Sequence, residues 1–171
     1  MAATLEHALA EGEHLAKLSA LLGAEVPPTW PPPLNDDQSH AWFTNRLRAD
    51  PASVGWSMWY FLLERPGLRR LAIGNGGLKG RPSVDGTAEI GYSLMPAFHR
   101  QGLAPEAVSA LIGWTFEHPE ITRIIAHTLP DLRGSIRVLE KSGFTFTGPG
   151  EEPETIAYEL KRADWEARRG Q

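Results

Sequence analysis

The run TAEIGYSLMPAFHRQGLAPEAV, residues 87–108, constrains this chain more than any other stretch. It alternates like a strand as far as Met95, meets a proline that cannot extend a ladder, and turns through Gly102 into a helical pattern. A strand, a short basic loop, a glycine turn and a helix start together leave backbone N–H groups pointing outward without partners. Such a place suits an anion. The nucleotide fingerprints G-x-x-x-x-G-K-[ST] and G-x-G-x-x-G are both absent. One glycine flanked by basic and amide side chains fits a pyrophosphate held mostly by main chain.

The flanking patterns say what surrounds that turn. Residues 4–22 read as helix, with Leu5, Leu9, Leu15, Leu18 and Leu22 on one face, Gly12 dividing it and Gly23 as C-cap. VPPTWPPPL is an ordered proline-rich crossing anchored by Trp30, and a second helix follows, N-capped near Asp36 and stopped at Pro51. The period then changes. GWSMWYFLLE, RRLAIGNGGLKG and TAEIGYSLM read as strands, the last two joined by the hairpin signals of RPSVDG. A helix from Pro105 to about Glu117 carries a buried stripe of Val108, Leu111, Ile112 and Thr115, with Pro105 at its first position. ITRIIAHTL is a short apolar central strand, and SIRVLEKSG a helix with Gly143 at C′ and Phe144 as its contact. FTFTG and TIAYEL close the chain as an antiparallel pair around an acidic loop. The order implies an α+β fold, a mixed sheet with one βαβ crossover. With 171 residues, no internal repeat and no linker, a single domain over 1–171 is expected.

Composition removes whole classes of function. A net charge of −4 gives no electrostatic case for nucleic acid or an anionic membrane, and Arg69/Arg70 and Arg168/Arg169 read as solvated surface. The absence of cysteine excludes disulfides, thiolate zinc sites and cysteine nucleophiles. No apolar run approaches the ~20 residues that span a bilayer, and no basic-then-apolar leader opens the chain. A soluble, cytoplasmic protein is expected. His7, Glu11 and His14 share a helix face at metal-like spacing, but without a fourth ligand they read as a solvated face, and no metal is expected.

EIGYSLMPAFHRQGLAPEAVSALIGWTF followed by RIIAHTLPDLRGSIRVLEKSGF resembles the GNAT superfamily of N-acetyltransferases, most closely its ribosomal-protein N-terminal acetyltransferase (RimJ/RimL-like) branch. The resemblance runs from Trp56 onward and is densest between Glu89 and Phe144. It implies a mostly antiparallel mixed sheet with a splayed parallel pair at an acetyl-CoA site, and helices on both faces. His99, Gly102 and Ala104 fall on the family's phosphate pattern Q/R-x-x-G-x-G/A, the first of them substituted. Arg100, Gln101, Gly102, Leu103 and Ala104 are thereby implied in holding the pyrophosphate. Pro105 stands where the branch usually has a hydroxyl residue. Ser93, Leu94 and Met95 map onto the strand that binds the pantetheine arm, where the splay also leaves a main-chain N–H to polarise the thioester carbonyl.

Two positions match bases of different family members. Glu89 is either that base or a sheet-edge charge facing solvent. His127 is either a base, apt because imidazole titrates near neutrality, or a hydrogen-bonded core histidine. The family's asparagine and its tyrosine acid correspond to Leu132 and Leu139. Ser135 is the hydroxyl left near the sulfur, or else a helix-start residue satisfying backbone donors. Trp30, Trp42, Trp56, Trp59 and Tyr60 line an acceptor cleft or the core, with Asn75 a polar contact in that cleft. The family commonly begins with a strand that MAAT is too short to form. The sheet is therefore expected to lose an edge or to take one from a partner chain, as in a homodimer. These features imply an acetyl-CoA-dependent N-acetyltransferase acting on a primary amine of a small molecule or a protein N-terminus. A CoA-binding sensor or scaffold on the same fold is the alternative.

Overall fold

The computed structural model describes residues 1–170. They form two compact units, residues 1–78 with 92–101, and residues 79–91 with 102 onward. Seven strands, β1 (Ala24–Glu25), β2 (Met58–Leu63), β3 (Arg70–Leu78), β4 (Thr87–Leu94), β5 (Arg123–Thr128), β6 (Thr145–Pro149) and β7 (Ile156–Lys161), run in the order β1-β3-β4-β5-β7-β6, with β2 also paired to β3.

In the first unit, α1 (Leu5–Glu13) opens on a capping box: Thr4 Oγ1 accepts from His7 N, and the His7 ring accepts from Thr4 N at 3.2 Å. Gly12, expected to divide the helix, lies inside α1. A Cβ there would come within 2.9 Å of the His40 ring, whose Nε2 lies 2.9 Å from Ala8 O. The glycine admits a neighbouring helix, and the break falls at His14, which is extended and N-caps α2 (Leu15–Leu22). Gly23 ends α2 in the left-handed region at φ 58, as expected. β1 (Ala24–Glu25) pairs parallel with β3 (Arg70–Leu78), and β2 (Met58–Leu63) pairs antiparallel with it. Between β1 and β2 runs α3 (Asp37–Ala49), N-capped by Asp36 as read from sequence.

Residues 1–3 correct the expectation of a lost or borrowed edge. Tyr60 N donates to Met1 O at 2.8 Å, Ala3 N donates to Met58 O at 2.8 Å, and Ala2 bridges Trp59. The short segment itself pairs with β2. Trp30 and Tyr60 sit in the core of this unit with Leu18, Leu22, Met58 and Ala72.

β4 (Thr87–Leu94) starts in the second unit and ends in the first. In the second unit it runs parallel to β5 (Arg123–Thr128), the central strand expected there. The crossover between them is α4 (Leu103–Phe116), with Val108, Leu111, Ile112 and Thr115 buried as the periodicity requires. α4 begins two residues before the expected Pro105, which is its third residue. Proline is tolerated in a first turn because an N–H there has no intrahelical acceptor. α5 (Arg133–Lys141) likewise starts earlier than expected, so Ser135 is its third residue, and Gly143 follows in the left-handed region at φ 97.

β7 (Ile156–Lys161) pairs antiparallel with both β5 and β6 (Thr145–Pro149). The chain does not close on that pair. A further helix, α6 (Arg162–Arg169), follows and stacks Trp165 on Phe116 with ring centres 4.9 Å apart. Arg162 donates to the carbonyls of Phe116, His118 and Ile121, satisfying groups at and beyond the end of α4. Arg168 and Arg169 are also engaged, Arg168 beneath Gly143 and Arg169 over the Trp165 ring.

Candidate active site

In the second unit the parallel register joins Thr87, Ala88 and Glu89 to Arg123, Ile124 and Ile125, while both strands continue beyond that point. The pairing ends at Glu89. Side chains alternate along β5, so His127 shares a face with Ile125, two residues past the last pair. There Glu89 and His127 meet: Nδ1 and Oε1 are 2.8 Å apart, with the side chains 11% and 18% exposed. A carboxylate only accepts, so Nδ1 carries the proton and Nε2 is left as the basic nitrogen. Lys79 Nζ reaches the same Oε1 at 2.6 Å, and Lys79 N donates to Glu89 O at 2.8 Å. Gly150 gives the ring its room, because a Cβ there would strike Thr155 Oγ1 and come within 2.9 Å of His127 Cδ2. Lys79 was missed at the sequence level. Its signal was the hairpin itself, which sets residues 79 and 89 opposite one another.

α4 begins on Gly102, whose φ of 80 lies in the left-handed region. No side chain caps the helix, and a Cβ built on Gly102 would meet nothing within 4 Å. The amides of Leu103 and Ala104, in the first turn, have no intrahelical acceptor and lie at the positive end of the helix dipole. In the first unit, Arg100 also has a positive φ, 62. Gln101 folds its amide back to Ala97 O at 2.9 Å, and the His99 ring lies 2.9 Å from Leu94 O. Leu94 and Met95 are buried, Met95 N donates to Ile73 O at 2.8 Å, and Ser93 Oγ donates to Pro33 O at 2.7 Å. In α5, Leu139 is buried in the core, and no side chain caps the helix at Leu132.

The first unit also contains a pocket of about 280 Å³, walled by Trp30, Phe43 and Met58 with Glu11, Asn35 and Asp37 among its polar lining. Asn75 is buried behind this lining, its amide donating to Asn35 Oδ1 at 2.9 Å and lying 3.7 Å from Met58 Sδ. Trp59 is not part of the lining; its Nε1 donates to Gly55 O at 2.8 Å. Glu11 belongs to the pocket, although the sequence placed it on a solvated helix face. Trp30 Nε1 donates to one of its oxygens at 2.7 Å and the Tyr60 hydroxyl to the other at 2.5 Å. Burial, reinforced by the Glu11 charge, pushes the Tyr60 phenol far above its ordinary pKa. His7 and His14 act as helix caps. Among the described residues no group of histidine and acidic side chains could hold a metal.

The acetyltransferase (GNAT) domain model matches residues 5–145. The uncharacterized N-acetyltransferase YjdG of Bacillus subtilis is 30% identical over 125 residues, covering 72% of this chain and 71% of that protein. Among solved structures, ribosomal-protein-S5-alanine acetyltransferase from Vibrio fischeri matches with a TM-score of 0.64 at 18% identity, over 96% of this chain and 93% of the other. Aminoglycoside acetyltransferase AAC(6')-Ib in complex with coenzyme A matches with a TM-score of 0.59 at 23% identity, over 73% and 77%. At these identities the structures bear on the fold, a mixed seven-stranded sheet flanked by helices.

Proposed function

Because the chain belongs to the GNAT acetyltransferase family, we propose that it uses acetyl-CoA to acetylate the primary amine of an acceptor by direct attack, as one catalytic domain whose family model runs through both units. The observation that carries this reading is the Glu89–His127 hydrogen bond at the point where β4 and β5 cease to pair. Bound acetyl-CoA supplies the activated acyl group. The uncapped amides of Leu103 and Ala104 would hold its pyrophosphate, helped by the charge of Arg100 and the turn at Gln101 and Gly102. Ser93, Leu94 and Met95 would flank the pantetheine arm.

The remaining chemistry concerns protons. An ammonium group must lose one before its nitrogen can attack, and His127 Nε2 accepts it while Glu89 steadies the imidazolium through Nδ1. The C–N bond forms as the C–S bond breaks. A second proton from nitrogen goes to the departing thiolate, and one hydrogen stays on the amide. Ser135 is our proposed donor to that thiolate. Asn75 and Trp59 are proposed to shape the acceptor side, Asn75 through Asn35. The absence of cysteine agrees with a mechanism lacking an acyl-enzyme and with work in the reducing cytoplasm. Thiol release from acetyl-CoA across a panel of amines and N-terminal peptides tests the proposal. Amine-dependent release that is lost in His127→Ala supports it; tight CoA binding with no release for any amine overturns it.

A further inference from the structure

We infer that Lys79 is a positioning residue: it pins the Glu89 carboxylate and thereby locks His127 in the tautomer that leaves Nε2 basic. The inference rests on the acetyl-transfer proposal, and all three residues lie in the second unit.

Main chain sets Lys79 against Glu89, since Lys79 N donates to Glu89 O at 2.8 Å. Directly opposed residues of an antiparallel pair send their side chains to the same face. The backbone alone does not fix the carboxylate, because several rotatable bonds separate the two. Side-chain donors do that here. Lys79 Nζ reaches Oε1 at 2.6 Å, and His127 Nδ1 reaches the same atom at 2.8 Å. The ammonium and the ring N–H therefore converge on one oxygen from different strands. The Lys79 side chain is 49% exposed and that of Glu89 18%, so the ammonium approaches from the wetter side while the carboxylate stays sheltered. Arg123, the nearby guanidinium, is engaged elsewhere, with Asp85, Glu159 and Thr87 Oγ1.

Tautomer chemistry gives this contact its consequence. A neutral imidazole carries one N–H, and the hydrogen bond made by one ring nitrogen decides which of them holds it. In water a histidine side chain favours the proton on Nε2. The proposed base needs the reverse, with the proton on Nδ1 and a lone pair on Nε2. An acceptor held at Nδ1 enforces that form, and Glu89 Oε1 is the acceptor. A carboxylate released by Lys79 samples other rotamers, and the ring then reverts in part to the Nε2–H form. That form has no lone pair on Nε2 to receive the proton of the amine. A cross-strand ion pair that merely steadies the hairpin would leave the tautomer where it is.

Nitrogen-15 NMR of histidine-labelled protein at about pH 9, where an imidazole is neutral, reads the tautomer without acetyl-CoA. The His127 signals are assigned by their loss in His127→Ala. The Nδ1–H form should predominate in the wild type. Lys79→Met should raise the Nε2–H fraction at least about threefold, and Lys79→Arg should keep the wild-type pattern. Lys79→Gln is a second neutral variant should Lys79→Met fail to fold. With the amine that the wild-type protein turns over fastest, Lys79→Met should lower kcat by about 3–10-fold, with CoA affinity within about twofold. A wild-type tautomer pattern in folded Lys79→Met, or a lowered melting temperature with tautomer and kcat both unchanged, overturns the inference. A shifted tautomer in Lys79→Met, beside a wild-type protein that releases no thiol with any amine, overturns the acetyl-transfer proposal instead.

Discussion

His127 Nδ1 and Glu89 Oε1 lie 2.8 Å apart, which joins two alternative bases into one unit. In the proposed mechanism the two have separate tasks, the imidazole taking the proton and the carboxylate holding the ring. His127→Ala should remove the acid limb of kcat/KM and lower the plateau by about 10²–10⁴-fold. Glu89→Gln keeps the ring but removes the charge that favours imidazolium, and it leaves the Lys79 ammonium uncompensated beside the ring. Its kcat/KM should fall, with CoA affinity nearly unchanged. A pH–rate series on both variants checks this; wild-type kcat/KM in Glu89→Gln makes the carboxylate structural.

Gly102 tests the phosphate assignment. Acetyl-CoA should raise the melting temperature by mass action, and Gly102→Asp should abolish the rise. A Cβ at this position meets nothing, so the substitution acts through the φ of 80 and through a negative charge at the amides. A folded variant that retains the full thermal response refutes the assignment.

Ser135 is tested by setting kcat beside stability on one preparation. The structure places it at the third position of α5, so it is not the residue that N-caps that helix. Ser135→Ala should lower kcat by ~10–100-fold, as expected for a lost donor to the departing sulfur, with acetyl-CoA affinity unchanged. A loss of melting temperature with normal kcat would return the hydroxyl to the scaffold.

The sequence disclosed whatever depends on local pattern. The alternation from Thr87 to Leu94, the apolar stripe of α4 and the caps at Asp36 and Gly23 all signal within a few residues. It hid what depends on distant partners. α6 has few apolar residues, and its order comes from Phe116 and from carbonyls more than forty residues back. Residues 1–3 are too short to read as a strand without β2 beside them. Glu89 and His127 were legible as separate family positions, but their bond needs the parallel register that sets Glu89 opposite Ile125. Glu11 looked like helix surface because its donors lie 19 and 49 residues away in sequence.

Asp85 connects pH to the strand pair carrying the proposed base. It lies in the turn entering β4, where the Ser83 hydroxyl donates to it and Thr87 N donates at 3.3 Å. Arg123, at the start of β5, reaches it at 2.9 Å and also donates to Thr87 Oγ1 at 2.7 Å. These contacts tie the entry of β4 to that of β5, just before the three paired residues that end at Glu89. The Ser83 and Thr87 hydrogen bonds, with Arg123 adding to them, lower the Asp85 carboxyl from 3.8 to about 2. The folded state therefore binds this proton less readily than the unfolded chain. The stabilisation is complete above pH 3.8 and disappears as pH falls towards about 2. Asp85→Asn should melt below wild type at pH 6, and the gap should narrow steadily as pH falls through that window. Paired melting curves between pH 6 and pH 2 measure it. Wild-type and variant curves that stay equally separated down to pH 2 would mean that the charge of Asp85 does not clamp β4 to β5.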